Sequence, residues 1–202
     1  MVDHQKKCIF VHVPKTGGTS IERVLGGDLQ GWDDDTHLWK QHCSIKQIKE
    51  IYNIDIDEYY KFTFVRNPWA RAVSGYMSWI TSGAILNHLP TPTLKDYLLI
   101  RNGFESVNHL NNSEGRADHF LTQHSFINID GVDSLDFIGR FENLQDDFSE
   151  VCDNLKIPRQ ELPHANEVNY KHYTEYYDDE TREIVECKYA KDIEYFEYKF
   201  GE

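Results

Sequence analysis

The sequence has no close pair of cysteines, little basic charge and no long apolar run. Its four cysteines stand far apart, so their spacing indicates neither a C-x-x-C zinc motif nor a dense disulfide framework. The residues before Pro14 are too few for the apolar core of a signal peptide, and no stretch approaches the roughly 18 apolar residues of a membrane span. These absences predict a soluble, cytoplasmic protein with no membrane span and no bound metal.

Acidic residues outnumber basic ones in this chain. Lysine and arginine total 21, aspartate and glutamate total 34, and the formal net charge is −13. An acidic surface repels phosphate backbones, which argues against nucleic acid and anionic membranes as partners. An anion site in such a chain has to be built from a few local cations and backbone N–H groups. Basic residues beside glycine-rich turns are therefore the first candidates.

A strand–loop–helix pattern recurs three times along the 202 residues. Apolar, β-rich runs at 7–13, 59–65 and 135–141 are each followed by a helical pattern. This alternation predicts a three-layer, P-loop-like α/β domain with a central, mainly parallel sheet flanked by helices. We expect a single domain over 1–202, with one long acidic helix over 173–196.

The first predicted strand continues into PKTGGTS, residues 14–20. Glycines let backbone N–H groups approach a phosphate, the start of the following helix adds positive potential, and Lys15 adds a mobile charge. Thr19 and Ser20 are placed to cap that helix. The lysine precedes the glycines, so this is not the G-x-x-x-x-G-K-[ST] loop that binds ATP. The pattern favours a phosphate-binding loop over a plain glycine turn with a surface lysine.

A second segment, FTFVRNPWARAVSGYMSW, begins within the next predicted strand. Arg66 stands at the end of that strand, where a planar guanidinium can bind a phosphate through two N–H groups. Ser74 follows two helical turns later. Ligand sites in parallel α/β sheets lie beyond the carboxyl ends of the strands. We therefore expect Arg66 and the PKTGGTS loop to face one crevice.

Together, PKTGGTS and RNPWARAVSGY resemble the two nucleotide-binding motifs of the sulfotransferases that use 3′-phosphoadenosine 5′-phosphosulfate (PAPS). VPKTGGTS and FVRNPWARAVSGY are most similar to the carbohydrate-type branch, which includes heparan sulfate 2-O-sulfotransferase. FIGRFENLQDDF, residues 137–148, resembles the family's Arg-aromatic-Glu-x-Leu strand end. The resemblance implies an enzyme that transfers a sulfuryl group from PAPS to an acceptor hydroxyl and releases PAP, the 3′,5′-bisphosphate.

The same resemblance implies roles for individual residues. Arg66 and Ser74 would bind the 3′-phosphate, the group that distinguishes PAPS from ATP. Lys15 would also be catalytic, because it would neutralise charge on the bridging oxygen as the phosphate leaves, without a metal ion. The residues that would bind the 5′-phosphosulfate are Lys15, Thr16, Gly17, Gly18, Thr19 and Ser20.

The acceptor hydroxyl needs a base, and histidine is suited to that role near neutral pH. His42, in WKQHCSIKQI, directly precedes a helix that Ser44 is placed to cap. It resembles the catalytic histidine of the 2-O-sulfotransferase branch. That branch has a His-x-His pair, whereas this chain has Lys40 at the first position. His37 is therefore the alternative base, and a surface or capping role for His42 stays open.

The resemblance implies a hydroxyl-bearing acceptor, and a sugar in particular. The net charge of −13 disfavours a long, already sulfated polysaccharide, which leaves a neutral glycan, a glycolipid, a small metabolite or a tyrosine. Two other functions fit parts of the pattern. An ATP-dependent small-molecule kinase would need Mg²⁺ and would be indifferent to a 3′-phosphate. A non-catalytic PAP- or PAPS-binding protein would keep Lys15, Arg66 and Ser74 without turnover.

Overall fold

The computed structural model describes residues 1–26, 32–33, 38–81, 91–99, 117–163 and 171–202, with only the backbone described at 32–33, 38–40 and 117–118. The chain divides into two compact units. The first comprises Met1–Arg66 and Gln123–Glu167, and the second comprises Asn67–Thr122 and Val168–Glu202. The single domain over 1–202 stays a prediction.

Short strands and helices alternate along the described chain. The strands are β1 (Val2–Asp3), β2 (Cys8–Val11), β3 (Trp32–Asp33), β4 (Leu38–Trp39), β5 (Tyr60–Val65), β6 (Asn128–Ile129), β7 (Val132–Asp133) and β8 (Phe137–Arg140). The helices are α1 (Gly18–Leu25), α2 (Ile45–Tyr52), α3 (Pro68–Thr81), α4 (Leu94–Leu99), α5 (His124–Ile127), α6 (Leu144–Asn154), α7 (Asp179–Lys188) and α8 (Ala190–Tyr195).

The first unit is built on a four-stranded sheet in the order β1-β2-β5-β8. Strands β2, β5 and β8 are parallel, and β1 is antiparallel to β2. Phe10, Phe62 and Phe137 share one row across the parallel strands, and the rings of Phe10 and Phe62 stack at 5.1 Å. Strands buried on both faces read as continuous apolar runs, and β2 has that composition, whereas β5 carries Lys61 and Thr63 between its apolar residues. The predicted α/β class with a mostly parallel sheet flanked by helices is confirmed.

Helices α1 and α6 pack on the sheet of the first unit and close its core. Ile21 and Leu25 of α1 and Phe148 of α6 are buried in one cluster with the strand phenylalanines. Helix α2 is capped by Ser44, whose side chain accepts a hydrogen bond from the Gln47 N–H while the Gln47 side chain accepts from the Ser44 N–H. This reciprocal capping confirms the cap predicted from the sequence.

The start of α1 differs from the prediction. Thr19 and Ser20 do not cap the helix but lie inside its first turn, where the Ser20 N–H donates to the Gly17 carbonyl. Gly17 is the N-cap and has a φ of 82°, which glycine adopts without a Cβ penalty. This conformation lets the helix begin two residues earlier than a hydroxyl cap would.

The second unit is helical, and its first helix is capped by a residue of the Arg-Asn-Pro turn. The side-chain oxygen of buried Asn67 accepts from the N–H groups of Trp69 and Ala70, and Pro68 occupies the first helical position. The long helix predicted over 173–196 is wrong. Tyr189, with φ −113° and ψ 25°, separates α7 from α8, and its buried ring lies 5.8 Å from the Arg71 guanidinium. Burial of this ring outweighs the local helical pattern.

Candidate functional site

The loop between β2 and α1 has the backbone of a phosphate-binding turn. Lys15 and Gly17 both have left-handed φ angles, 71° and 82°. A left-handed lysine costs about 1–2 kcal/mol, and such strain is typical of functional sites. Gly17 supplies no capping side chain to the first turn of α1, so the positive end of the helix faces the loop.

The side chains of this loop differ in how deeply they are buried. Thr16 is fully buried, and its hydroxyl donates to the Val13 carbonyl at 2.8 Å. Lys15 is half-buried, as is Thr19, whereas Ser20 is buried. Thr16 therefore fixes the loop through its hydroxyl, and Lys15 supplies the positive charge of the loop.

Arg66, at the end of β5, holds the same loop from the side. Its Nη1 donates to the Lys15 carbonyl at 3.3 Å. The side chain of Gln123, which is fully buried, accepts from the Arg66 N–H at 2.9 Å and donates to the Arg66 carbonyl at 2.8 Å. The two segments singled out in the sequence therefore meet directly, with the Arg66 backbone fixed on both sides.

The end of a third strand, β8, also lies beside this loop, where Phe141 contacts Arg66 and is close to Gly17. Phe141 directly follows β8, and the Arg66 guanidinium lies 4.0 Å from the centre of its ring. A Cβ on Gly17 would lie 3.4 Å from the same ring and 2.7 Å from Leu144. The carboxyl ends of β2, β5 and β8 thus converge on one glycine-rich turn with a lysine and an arginine. This is the edge of the sheet where parallel α/β folds bind ligands.

His42 lies in a 3₁₀ turn, Lys40–His42, just before the capped helix α2. The side chain is 8% exposed, and its ring meets the ring of His12 edge to face at 4.8 Å between centroids. His12 follows β2 and packs so closely on the loop that a Cβ on Gly18 would overlap its ring. The His12 ring therefore lies between the candidate base, His42, and Gly18 of the phosphate loop.

A buried carboxylate completes this cluster and was missed from the sequence. Glu22 is 3% exposed, and its Oε1 lies 3.0 Å from His12 Nδ1. The Nδ1 contact is short but poorly aligned for a hydrogen bond. Glu22 Oε2 accepts a 2.8 Å hydrogen bond from Gln41 Nε2. Burial acts to raise the pKa of Glu22, but the contacts with His12 and Gln41 outweigh it and hold that pKa below its usual value.

Comparison with known proteins decides the family. The model of the sulfotransferase family matches residues 1–199. The chain belongs to the sulfotransferase family. Neither the comparison with curated proteins nor the one with solved structures found a match. Family membership supports a sulfotransferase enzyme that transfers to a hydroxyl-bearing acceptor, and sulfotransferases of this family generally use PAPS as the donor.

Two predicted site residues of this sulfotransferase remain, Ser74 and His37. Ser74 is half-buried on α3 in the second unit. His37, the alternative base, lies outside the described residues. None of the described helices combines the length and the apolarity that crossing a bilayer requires.

Proposed function

We propose that this protein transfers the sulfuryl group of PAPS to a hydroxyl of a neutral glycan, with His42 as the base. The observation that carries the proposal is the hydrogen bond from Arg66 to the Lys15 carbonyl. It joins two cationic strand ends at one glycine-rich turn, in a chain whose net charge is −13. Cations concentrated in one place of an acidic protein support an anionic ligand there.

The reaction is an in-line displacement at sulfur. The acceptor oxygen forms a bond to sulfur while the bond from sulfur to the bridging 5′-phosphate oxygen breaks. The electron pair of that bond leaves with PAP, and the hydroxyl proton passes to the imidazole of His42. The products are a sulfate ester, PAP and one proton, which the base later releases to solvent.

Lys15 and the loop N–H groups suit the charge that develops on the leaving phosphate. A half-buried lysine beside a helix N-terminus acts where water screens charge weakly, so its effect on the transition state is larger than in solution. In this proposal, Thr16, Gly17, Gly18, Thr19 and Ser20 present the 5′-phosphosulfate to it. Arg66 takes the 3′-phosphate, and the parallel assignment of Ser74 stays a prediction from the sequence motif.

A carbohydrate acceptor is supported by the likeness of VPKTGGTS and FVRNPWARAVSGY to the carbohydrate-type branch. The acidic composition favours a neutral sugar over a polyanionic one, since like charges repel at the protein surface. We therefore expect uncharged oligosaccharides to be better acceptors than sulfated polysaccharides.

The proposal is tested by transfer from [³⁵S]PAPS to a panel of acceptors. The panel contains neutral oligosaccharides, a sulfated polysaccharide, simple phenols and a tyrosine peptide, with the His42→Ala variant run beside the unaltered protein. We expect labelled neutral sugar from the unaltered protein. In the variant, transfer should fall on the order of 10²-fold while PAP affinity stays nearly unchanged.

Other outcomes contradict separate parts of the proposal. Label only in the phenols or the peptide would overturn the sugar acceptor but keep the donor. Unchanged transfer by His42→Ala would move the base elsewhere, with His37 next. Phosphate transfer from ATP in the presence of Mg²⁺, without transfer from PAPS, would make the protein a kinase.

A further inference from the structure

The buried carboxylate of Glu22 lies behind a loop that is proposed to bind an anion. Glu22 is on α1, one turn after Gly18, so its Cα is about 6 Å further along the helix axis. The lowered pKa keeps this group ionised although it is 3% exposed. A buried negative charge here opposes the binding of phosphosulfate. Donor binding therefore does not explain why a carboxylate occupies this position.

The contacts of Glu22 connect it to the candidate base by two routes. One route is the hydrogen bond from Gln41, the residue that directly precedes His42 in the 3₁₀ turn. The other is His12, whose Nδ1 faces Glu22 and whose ring meets the His42 ring at 4.8 Å. Both routes end on the imidazole of His42, one through the backbone turn that carries it and one through ring packing.

We propose that Glu22 is a positioning residue for His42 and acts through Gln41 and His12. The negative charge of the carboxylate, 3.0 Å from Nδ1 of His12, favours the tautomer with its proton on that nitrogen and so restrains the orientation of the ring. The hydrogen bond from Gln41 holds the turn at the same time. This inference rests on the proposed function, in which His42 is the base.

Such positioning matters because proton transfer needs close geometry. A base has to lie within hydrogen-bond distance of the hydroxyl proton, and a displacement of about 1 Å can cost on the order of 10²-fold in rate. A 3₁₀ turn of three residues has few internal hydrogen bonds to resist such a displacement. The bond from Gln41 to a buried carboxylate adds a restraint from outside the turn.

The test uses two variants that act at different ends of this linkage. Glu22→Gln keeps the shape and removes the charge. Gln41→Leu keeps the charge and the His12 contact but removes the bond to the turn. Asp136→Asn is the matched control. Its carboxylate pairs with Lys61 Nζ at 3.0 Å and accepts from the Lys61 N–H at the opposite end of β5.

Four quantities are measured for each variant. They are PAP affinity by calorimetry, the kcat and KM for transfer from [³⁵S]PAPS to a mixture of methyl hexopyranosides, and the ring signals of His42 in ¹⁵N-histidine-labelled protein. The ring signals need no acceptor, and His42→Ala assigns them. Thermal unfolding shows whether each variant is folded, and Gln41→Leu decides the matter if Glu22→Gln does not fold.

We expect kcat to fall about tenfold or more in Glu22→Gln and several-fold in Gln41→Leu, with the His42 ring signals shifted in both. PAP affinity should stay within about threefold or rise in Glu22→Gln, because a negative charge behind the anion site is removed. Asp136→Asn should lower the unfolding temperature and leave kcat, PAP affinity and the His42 signals unchanged.

Two results would overturn the inference while leaving the proposed function intact. One is wild-type turnover with unchanged His42 signals in both variants. The other is a parallel loss of PAP affinity and turnover, which indicates that Glu22 only supports the fold of the loop. Failure of the unaltered protein to bind PAP would overturn the proposed function itself, and the inference with it.

Discussion

Replacement of Arg66 by alanine should weaken PAP far more than it weakens AMP. The two nucleotides differ only in the 3′-phosphate, so the comparison isolates the contact assigned to Arg66. A charge-assisted hydrogen bond is worth about 1.5–3 kcal/mol, and a guanidinium can make two of them to one phosphate. We expect the ratio of the Kd for PAP to the Kd for AMP to rise about 10- to 150-fold.

The ratio of the two Kd values is needed because Arg66 also supports the loop. Its guanidinium donates to the Lys15 carbonyl and covers the ring of Phe141, so its removal also loosens the loop. That loss affects PAP and AMP alike and cancels in the ratio. Arg66→Lys keeps a charge but not the planar fork, so it should recover only part of the PAP preference.

The assay is calorimetric titration of both nucleotides at one salt concentration, with Arg159→Ala as the control. Arg159 is exposed and paired with Asp153 at 2.6 Å, so its removal changes the net charge equally without touching the loop. We expect the control to keep the wild-type ratio. An equal loss of PAP and AMP affinity in Arg66→Ala would refute the assignment of Arg66 to the 3′-phosphate and leave it as a support of the loop.

The remaining predictions concern the loop and the carboxylate behind it. Lys15→Gly should be more stable than Lys15→Ala by about 1 kcal/mol in urea unfolding, because only glycine accepts a φ of 71° without strain. Both variants should lose sulfuryl transfer by about 10²-fold or more, because the charge of Lys15 is removed. Gly18→Ala should destabilise the fold by about 1–3 kcal/mol in the same assay, since its Cβ overlaps the His12 ring; unchanged stability would contradict this packing. Because its pKa is lowered by folding, ionised Glu22 stabilises the fold at pH values above its usual pKa of 4.5. This contribution is lost as the pH falls through the folded-state pKa. The advantage of the unaltered protein over Glu22→Gln in unfolding free energy should therefore shrink below about pH 4.5, and a constant difference would refute it.

The parts of the fold that follow from local pattern could be predicted from the sequence. The β-rich runs of the sequence predicted the parallel strands, and β2, β5 and β8 lie within the predicted ranges. Ser44 before an apolar periodicity predicted the cap of α2. The break at Tyr189 could not be predicted in this way, because it depends on where a ring is buried among distant residues.

Some residues of the candidate site could likewise be predicted from local sequence patterns, and others could not. PKTGGTS and Arg66 could be found because glycine turns and strand ends have local signatures, and their contact follows from parallel topology. Glu22, Gln41 and Gln123 could not, since each acts through contacts with residues distant in the sequence. For Glu22, its position on α1 could have indicated that the carboxylate is buried. Glu22 stands one helical turn after Gly18, on the face that has to be buried against the strand.

The most direct test of the donor assignment is calorimetric titration of the purified protein with PAP, ATP and AMP in the absence of added metal. The account predicts tight binding of PAP and much weaker binding of AMP and ATP, because only PAP carries the 3′-phosphate. Preference for ATP, or binding that requires Mg²⁺, would contradict it and favour a kinase.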